Sequence, residues 1–273
     1  RKIKMLFQTL ETERDARGVC TVWLNRPQKH NAMSKLMIGE LSNLADELRQ
    51  SDIRVIILGA RGKAFCSGGD LDWMREQMDA NKVDRAAGAQ NLARMLHAWN
   101  TLPQPVIGRI HANAFGGGVG LATICDIAVG VEGALMGFPE TKLGLIPATI
   151  GPYVVARMGG AKARRVFMSS RSFDTNEAVL LGLLASVVPA EQLDEAIEAE
   201  VEPYLHCAPG AVASAKELIH SLGLKIDSDM IKTTVSALVS RWESAEAKEG
   251  IEAFFEKTHP SWSLAVKHVK KTF

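Results

Sequence analysis

An α/β fold with a C-terminal helical appendage is predicted by three features of the sequence. Short apolar runs of strand character alternate with helix-period segments down to about residue 190. Glycine-rich turns stand between strand and helix at 59–69 and 116–118. Beyond Leu193 only long helical patterns remain, so residues 1–192 read as the core and 193–273 as a helical region.

Val19 to Leu24 (VCTVWL) reads as a buried strand after the Asp15–Gly18 turn, and Arg26-Pro27 stops it. Ser34 has the character of an N-cap. Leu36, Ile38, Leu41, Leu44, Ala45 and Leu48 then recur at helical spacing. Val55 to Leu58 (VIIL) is a continuous apolar run, typical of a strand covered on both faces. After the loop 59–69 the pattern predicts a helix near Leu71–Met78. Residues 79–90 are polar and are expected to be mobile, with a helix from about 91 to 101. Pro105 to Ile110 reads as the next strand, Gly116-Gly117-Gly118 opens another helix, and Ile127 to Val131 returns to strand. The final region carries helical patterns at 193–206, 209–222 and 227–245, an element suited to docking on its own core or on a partner subunit.

The 273 residues suffice for one large domain, or one domain with a smaller appendage. Thirty-two basic and 31 acidic side chains are well mixed and leave a net charge of +1. No global field therefore draws the chain to nucleic acid or an anionic membrane. There is no apolar run of membrane-spanning length and no visible secretory signal. Cys20, Cys66, Cys125 and Cys207 are widely spaced, which fits reduced thiols and a cytoplasmic setting. The seven histidines form no HxxxH or HExxH pattern, so no metal is expected.

Three segments carry chemistry: Lys63–Leu71 (KAFCSGGDL), Ala112–Leu121 (ANAFGGGVGL) and Gly137–Pro147 (GFPETKLGLIP). A glycine-rich turn between strand and helix exposes backbone N–H groups. Two such turns converging on one oxygen make an oxyanion hole, suited to a thioester carbonyl becoming an enolate. A nearby carboxylate can then move protons. Each segment alone is an ordinary tight turn. A dinucleotide fingerprint fails at 116–121, because Leu121 stands where glycine is needed. A serine-hydrolase elbow at Ser67 fails, because Phe65 replaces its first glycine.

Together the three segments resemble the crotonase (enoyl-CoA hydratase/isomerase) family over nearly the whole chain. Asn25-Arg26-Pro27 with Asn31-Ala32, Ser67–Asp70, Phe115–Gly118 with Cys125-Asp126, and Phe138–Gly144 with Pro147 are similar to its signatures. Glu249-Gly250 through Ala253-Phe254 to Glu256-Lys257 is similar to its terminal segment. The resemblance implies a spiral of ββα repeats, homotrimers or homohexamers, and a bound acyl-CoA with no cofactor beyond the CoA moiety of the substrate. It implies that the Ser67 and Gly117 N–H groups form the oxyanion hole and that Glu140 is the catalytic carboxylate. Ala32, Ala64, Gly68, Asp70, Leu71, Gly116 and Phe254 would belong to the CoA path. Lys29 and Lys257 are candidates for the CoA phosphates, ordinary solvated lysines being the alternative.

One departure bears on mechanism. Hydratases of the family usually carry two glutamates, and the position of the first is Gly120 here. Asp70–Met74 and Gly144–Ile150 resemble a branch with methylglutaconyl-CoA hydratases, some of which lack that glutamate. In this branch Trp73 and Met74 would wall an acyl pocket, or simply pack a helix. The leading expectation is hydration of a short or branched 2-enoyl-CoA. An enoyl-CoA isomerase, which needs one carboxylate, and a non-catalytic acyl-CoA-binding protein are the alternatives. RNA binding is disfavoured by the balanced charge.

Overall fold

The computed structural model describes residues 6–263; residues 264–273 of the expected helical region, His268 among them, lie outside the described residues. In chain order the strands are β1 (Leu10–Arg14), β2 (Val19–Leu24), β3 (Val55–Ala60), β4 (Val106–Ile110), β5 (Ala114–Phe115), β6 (Ile127–Val131), β7 (Leu135–Gly137), β8 (Ser172–Asp174) and β9 (Ser186–Val188). The helices are α1 (Lys35–Arg49), α2 (Leu71–Asp79), α3 (Lys82–Asn100), α4 (Gly117–Thr123), α5 (Gly151–Phe167), α6 (Thr175–Leu181), α7 (Leu193–Leu205), α8 (Pro209–Leu222), α9 (Ser228–Trp242) and α10 (Ala245–Glu256). The main sheet runs β1-β2-β3-β4-β6-β9, parallel except for the β1–β2 hairpin. A second, small sheet runs β5-β7-β8.

The expected spiral of ββα repeats is present. β4 passes to β5 and then α4; β6 passes to β7 and then, through a 3-10 turn at Pro139–Leu143, to α5. β3 is followed by the isolated bridge Cys66↔Ala114 and then α2. The repeats that begin at β4 and β6 thus lay one strand in the main sheet and a short one in the second sheet, and the β3 repeat has an isolated bridge in its place. Sites formed at these upper turns lie outside the carboxyl ends of parallel strands, where α/β sheets gather their ligands.

The parallel strands are apolar on both sides because both faces are covered. One face packs under α1, α3, α4 and α5 through Leu41, Leu44, Leu58, Leu96 and Val154. The other is closed by α7, whose Leu193, Ile197 and Val201 meet Val19, Val55, Ile107 and Val129. Ser34 caps α1 as expected, accepting from the Met37 N–H at 3.2 Å. That bond satisfies one of the donors a helix start leaves open. Among the described residues no helix is long and apolar enough to cross a membrane. All four cysteines are free thiols.

The segment 79–90 departs from expectation. It is helical from Lys82, nine residues before the helix start that the sequence pattern suggested. Asn81 caps it by accepting from the Asp84 N–H at 2.9 Å. Its alanine face is then buried by a distant partner: Ala89 and Ala93 pack against Ile231, Val235 and Val239 of α9. Small residues give a weak local signal, and the stabilising surface comes from the chain's last quarter. Shortening that surface should therefore loosen α3. Ile231→Ala with Val235→Ala is expected to destabilise the fold by about 3–5 kcal/mol, as large-to-small core changes do. Hydrogen exchange across 82–93 should accelerate, while exchange in α1 stays slow.

Candidate active site

Four segments meet above the carboxyl ends of β3 and β4. The first is the turn after β2. Asn31, fully buried with φ +53°, accepts from the Arg26 N–H at 2.8 Å and donates to the carbonyls of Arg61 at 2.7 Å and Ala64 at 2.9 Å. The Arg26 guanidinium donates to the Ala32 carbonyl at 2.6 Å and pairs with Asp70 at 2.9 Å. One amide and one guanidinium thereby fix the β2 turn to the loop after β3.

That loop lies beside the loop after β4. Phe65 N–H donates to Asn113 O at 3.0 Å, and Phe115 N–H to Cys66 O at 3.0 Å. The approach requires glycine. A Cβ on Gly118 would lie 2.3 Å from Cys66 O, and one on Gly68 would lie 3.1 Å from Phe115 O and 3.8 Å from Gly117 N. Gly68 has φ +99° and Gly116 has φ +50°, backbone states closed to most side chains.

The free N–H groups follow from this pairing. Met33 bonds both neighbours of Gly69, its N–H to Gly68 O at 2.8 Å and its carbonyl from Asp70 N–H at 3.1 Å. In a parallel bridge this leaves the N–H of Gly69 itself facing the other edge. Gly116 N–H is used by Gly137 O and Gly120 N–H by Gly116 O, and Gly117 stands at the first position of α4. Among the described residues neither Gly69 N–H nor Gly117 N–H has a protein acceptor. Ser67 differs from expectation: its N–H donates to His30 O at 3.1 Å, so the open donor of this loop is Gly69. The SGGD motif held the signal, but the strand-like pairing of Met33 that selects the second glycine was not visible in it.

Glu140 closes the site. It sits on the 3-10 turn Pro139–Leu143, and its Oε1 lies 2.8 Å from where a Cβ on Gly116 would be. Its Oε2 is sealed from solvent without a hydrogen-bond partner. Burial pushes the carboxyl up to about 7, against a smaller opposing effect of its own backbone N–H. Trp73 and Met74 of α2 come within 3.7 and 3.8 Å of the Cβ direction of Gly69.

The other expected site residues divide. Ala32, Ala64 and Gly68 are buried beside the paired loops, and Leu71 is exposed at the start of α2. Lys29, in the turn after β2, is exposed, and its ammonium lies 3.3 Å from Asp72 of α2. Asp70 is turned inward. It caps α2 at the Asp72 and Trp73 N–H groups and pairs with Arg26. Burial would raise its carboxyl, but these partners hold it below its usual value. Its side chain therefore fixes the loop rather than facing the CoA path. Phe254 is half-exposed against Phe255, and Lys257 ends α10 in a left-handed conformation.

A model of the enoyl-CoA hydratase/isomerase family matches residues 14–264. The chain belongs to that family. An enoyl-CoA hydratase structure from Shewanella pealeana is 34% identical, with a TM-score of 0.77 over 94% of this chain and 96% of that one. One from Mycobacterium smegmatis is 31% identical, with a TM-score of 0.76 over 93% and 98%. One from Mycobacterium avium is 26% identical, with a TM-score of 0.84 over 94% and 100%.

Position 120 has a neighbour that the sequence did not reveal. A Cβ on Gly120 would lie 2.3 Å from Ile150 Cγ2. Ile150 is buried, so the volume in front of Gly120 is filled by hydrocarbon. Gly120→Glu alone should cost about 1–3 kcal/mol through overpacking, and Ile150→Ala in the same chain should recover part of that in a thermal melt.

A stability prediction attaches to Glu140. Its folded carboxyl titrates near 7, above its value of 4.5 in a free side chain. Above pH 7 the buried anion carries its full penalty, and below pH 4.5 both states are protonated and the penalty vanishes. Glu140→Gln should raise the melting temperature at pH 8, by on the order of 2 kcal/mol of stability, and leave it unchanged at pH 4.

Proposed function

We propose that this protein hydrates a short or branched 2-enoyl-CoA, with Glu140 as its single catalytic carboxylate. The observation that carries the reading is the sealed, unpartnered Glu140 oxygen beside two loops that leave the Gly69 and Gly117 N–H groups open.

In the forward direction Glu140 takes a proton from water as the water oxygen bonds to Cβ. The Cα=Cβ electron pair moves toward the carbonyl, and charge gathers on the thioester oxygen. Gly69 and Gly117 donate to that oxygen, which lowers the barrier because the donors are already oriented. Glu140, now protonated, returns a proton to Cα as the enolate collapses. One water is added and the carboxylate is regenerated. A carboxyl titrating near 7 suits both halves of this cycle.

The acyl group favoured is methylglutaconyl-like. Trp73 and Met74 against Gly69 support a walled, short acyl chamber. Lys29, Ala32, Ala64, Gly68 and Leu71 are the proposed path for pantetheine and adenine, and Lys257 is a proposed phosphate contact. Isomerisation is the second reading, favoured by the hydrocarbon in place of a second carboxylate at Gly120. There Glu140 would carry a proton from C2 to C4. Absorbance separates the two: hydration removes the enoyl-thioester chromophore, and isomerisation of a 3-enoyl-CoA creates it. Exposed Leu218, Ile219 and Leu222 on α8 support a homotrimer or homohexamer, and light scattering should give three or six times the chain mass.

Glu140→Gln is expected to lower turnover by about 10²–10⁴ and to leave affinity for a product analogue nearly unchanged. Full turnover in that variant would rule out the mechanism. In the parent, kcat/KM should rise with pH through about 7, because the base must be ionised to accept the water proton.

A further inference from the structure

We propose that Arg241 is a positioning residue for the reaction, holding the Glu140 turn in register from behind. The inference rests on the reading of Glu140 as the catalytic carboxylate.

The turn is held on three sides. In front, Glu140 Oε1 lies against Gly116. At its flank, Thr141 Oγ1 and Ser170 Oγ share a hydrogen bond at 2.5 Å. Behind it, Arg241 Nε and an Nη donate to the Gly144 carbonyl at 3.0 and 2.7 Å. The same Nη lies 2.6 Å from Glu246 of α10. Gly144 ends the 3-10 turn with φ +70°, and its own N–H folds back to Thr141 O at 3.2 Å. Leu145 N–H bonds the carbonyl of Glu140 itself at 3.0 Å. A shift of the Gly144 peptide is therefore transmitted to Glu140 within one turn.

The back wall leaves no slack. A Cβ on Gly144 would lie 2.5 Å from Glu246 O, and one on Gly250 would lie 2.7 Å from the Leu143 carbonyl carbon. Leu145, Ala247 and Ile251 close the space between. Arg241 is the side chain that ties this wall to the turn. A planar fork on one carbonyl fixes direction as well as distance, which a lysine does not.

Electrostatics around the turn point the same way. The charged groups of the packed elements are Lys142 on the turn, Asp229, Lys232 and Arg241 on α9, and Glu246, Lys248, Glu249, Glu252 and Glu256 on α10. The raised titration of Glu140 comes from burial and not from any of them. Loosening the turn would admit water to the carboxylate and lower its titration point.

The test uses the full-length chain with Arg241→Ala and Arg241→Lys, and Lys232→Ala on the exposed face of α9 as control. The expected result for Arg241→Ala is a fall in kcat of ten-fold or more with KM within about two-fold. The acid limb of the kcat/KM profile should move to lower pH, and the 139–146 peptide should exchange hydrogen faster. Arg241→Lys should fall between, and it replaces the alanine variant if that one does not fold. Unchanged kcat and an unmoved acid limb in a folded variant would overturn the proposal. So would a loss of kcat that disappears once the variant is cooled to full folding, since that is a stability effect alone. Failure of the Glu140 reading shows separately, as full activity in Glu140→Gln. An inactive Glu140→Gln beside a fully active Arg241→Ala sinks only the inference drawn here.

Discussion

The contact between two backbone turns, those after β3 and β4, constrains most of what surrounds it. Cys66 pairs with Ala114, and Gly118 sits where any side chain would collide with the Cys66 carbonyl. The turns touch through main chain, and beyond the bonds they share, side chains and backbone of their neighbours hold them in place. Met33 bonds one turn along its open edge, Asn31 ties its base to the β2 turn, and Arg26 pins Asp70 at its end. The same geometry decides which N–H groups are left over. An N–H already committed to a carbonyl costs free energy to redirect, so the choice between Ser67 and Gly69 is made by the ladder and not by the motif.

The site couples an electrostatic cost to the chemistry proposed for Glu140. A carboxylate with one oxygen, Oε2, sealed without a donor is unfavourable for the fold, and burial is what brings its proton affinity near neutrality. The volume at Gly120 is filled by Ile150, so no acid stands at that position. The Glu140 carboxylate lies against Gly116. Proton transfer in such a setting depends on where the oxygen is held, which makes the turn beneath it as consequential as the acid itself.

Much of this was legible in the sequence, for identifiable reasons. The runs 19–24, 55–58 and 127–131 are apolar but for Thr21, as strands buried on both faces tend to be. Ser34 announced α1 because a cap is a local event. The two glycine loops stood out because close approach demands a residue type that few other positions need, and Glu140 was implied by the resemblance to the family. What was hidden depended on partners far along the chain. The start of α3 is buried by α9, and its alanines say nothing of that alone. Ile150 in front of Gly120 and Arg241 on Gly144 are pairings across folded space with no spacing to betray them. The short strands β5, β7 and β8, of two or three residues each, fall below the length at which alternation can be read. The Asp70 carboxylate, inward and paired, could not be told from an outward one without Arg26 beside it.

The clasp between Gly144 and Arg241 spans 97 positions of sequence. During synthesis the chain emerges from its amino end, so the sheet and both glycine loops are available long before α9 and α10 exist. Until then the Glu140 turn lacks its back wall, and of the residues clustered with Leu143 and Leu145 only Met78 has been made. A ribosome-bound chain short of about residue 256 would therefore carry a nearly complete scaffold with its one acid unset. Long-range closure of this kind slows the last stage of folding. It also makes the setting of the Glu140 turn wait on the docking of α9 and α10.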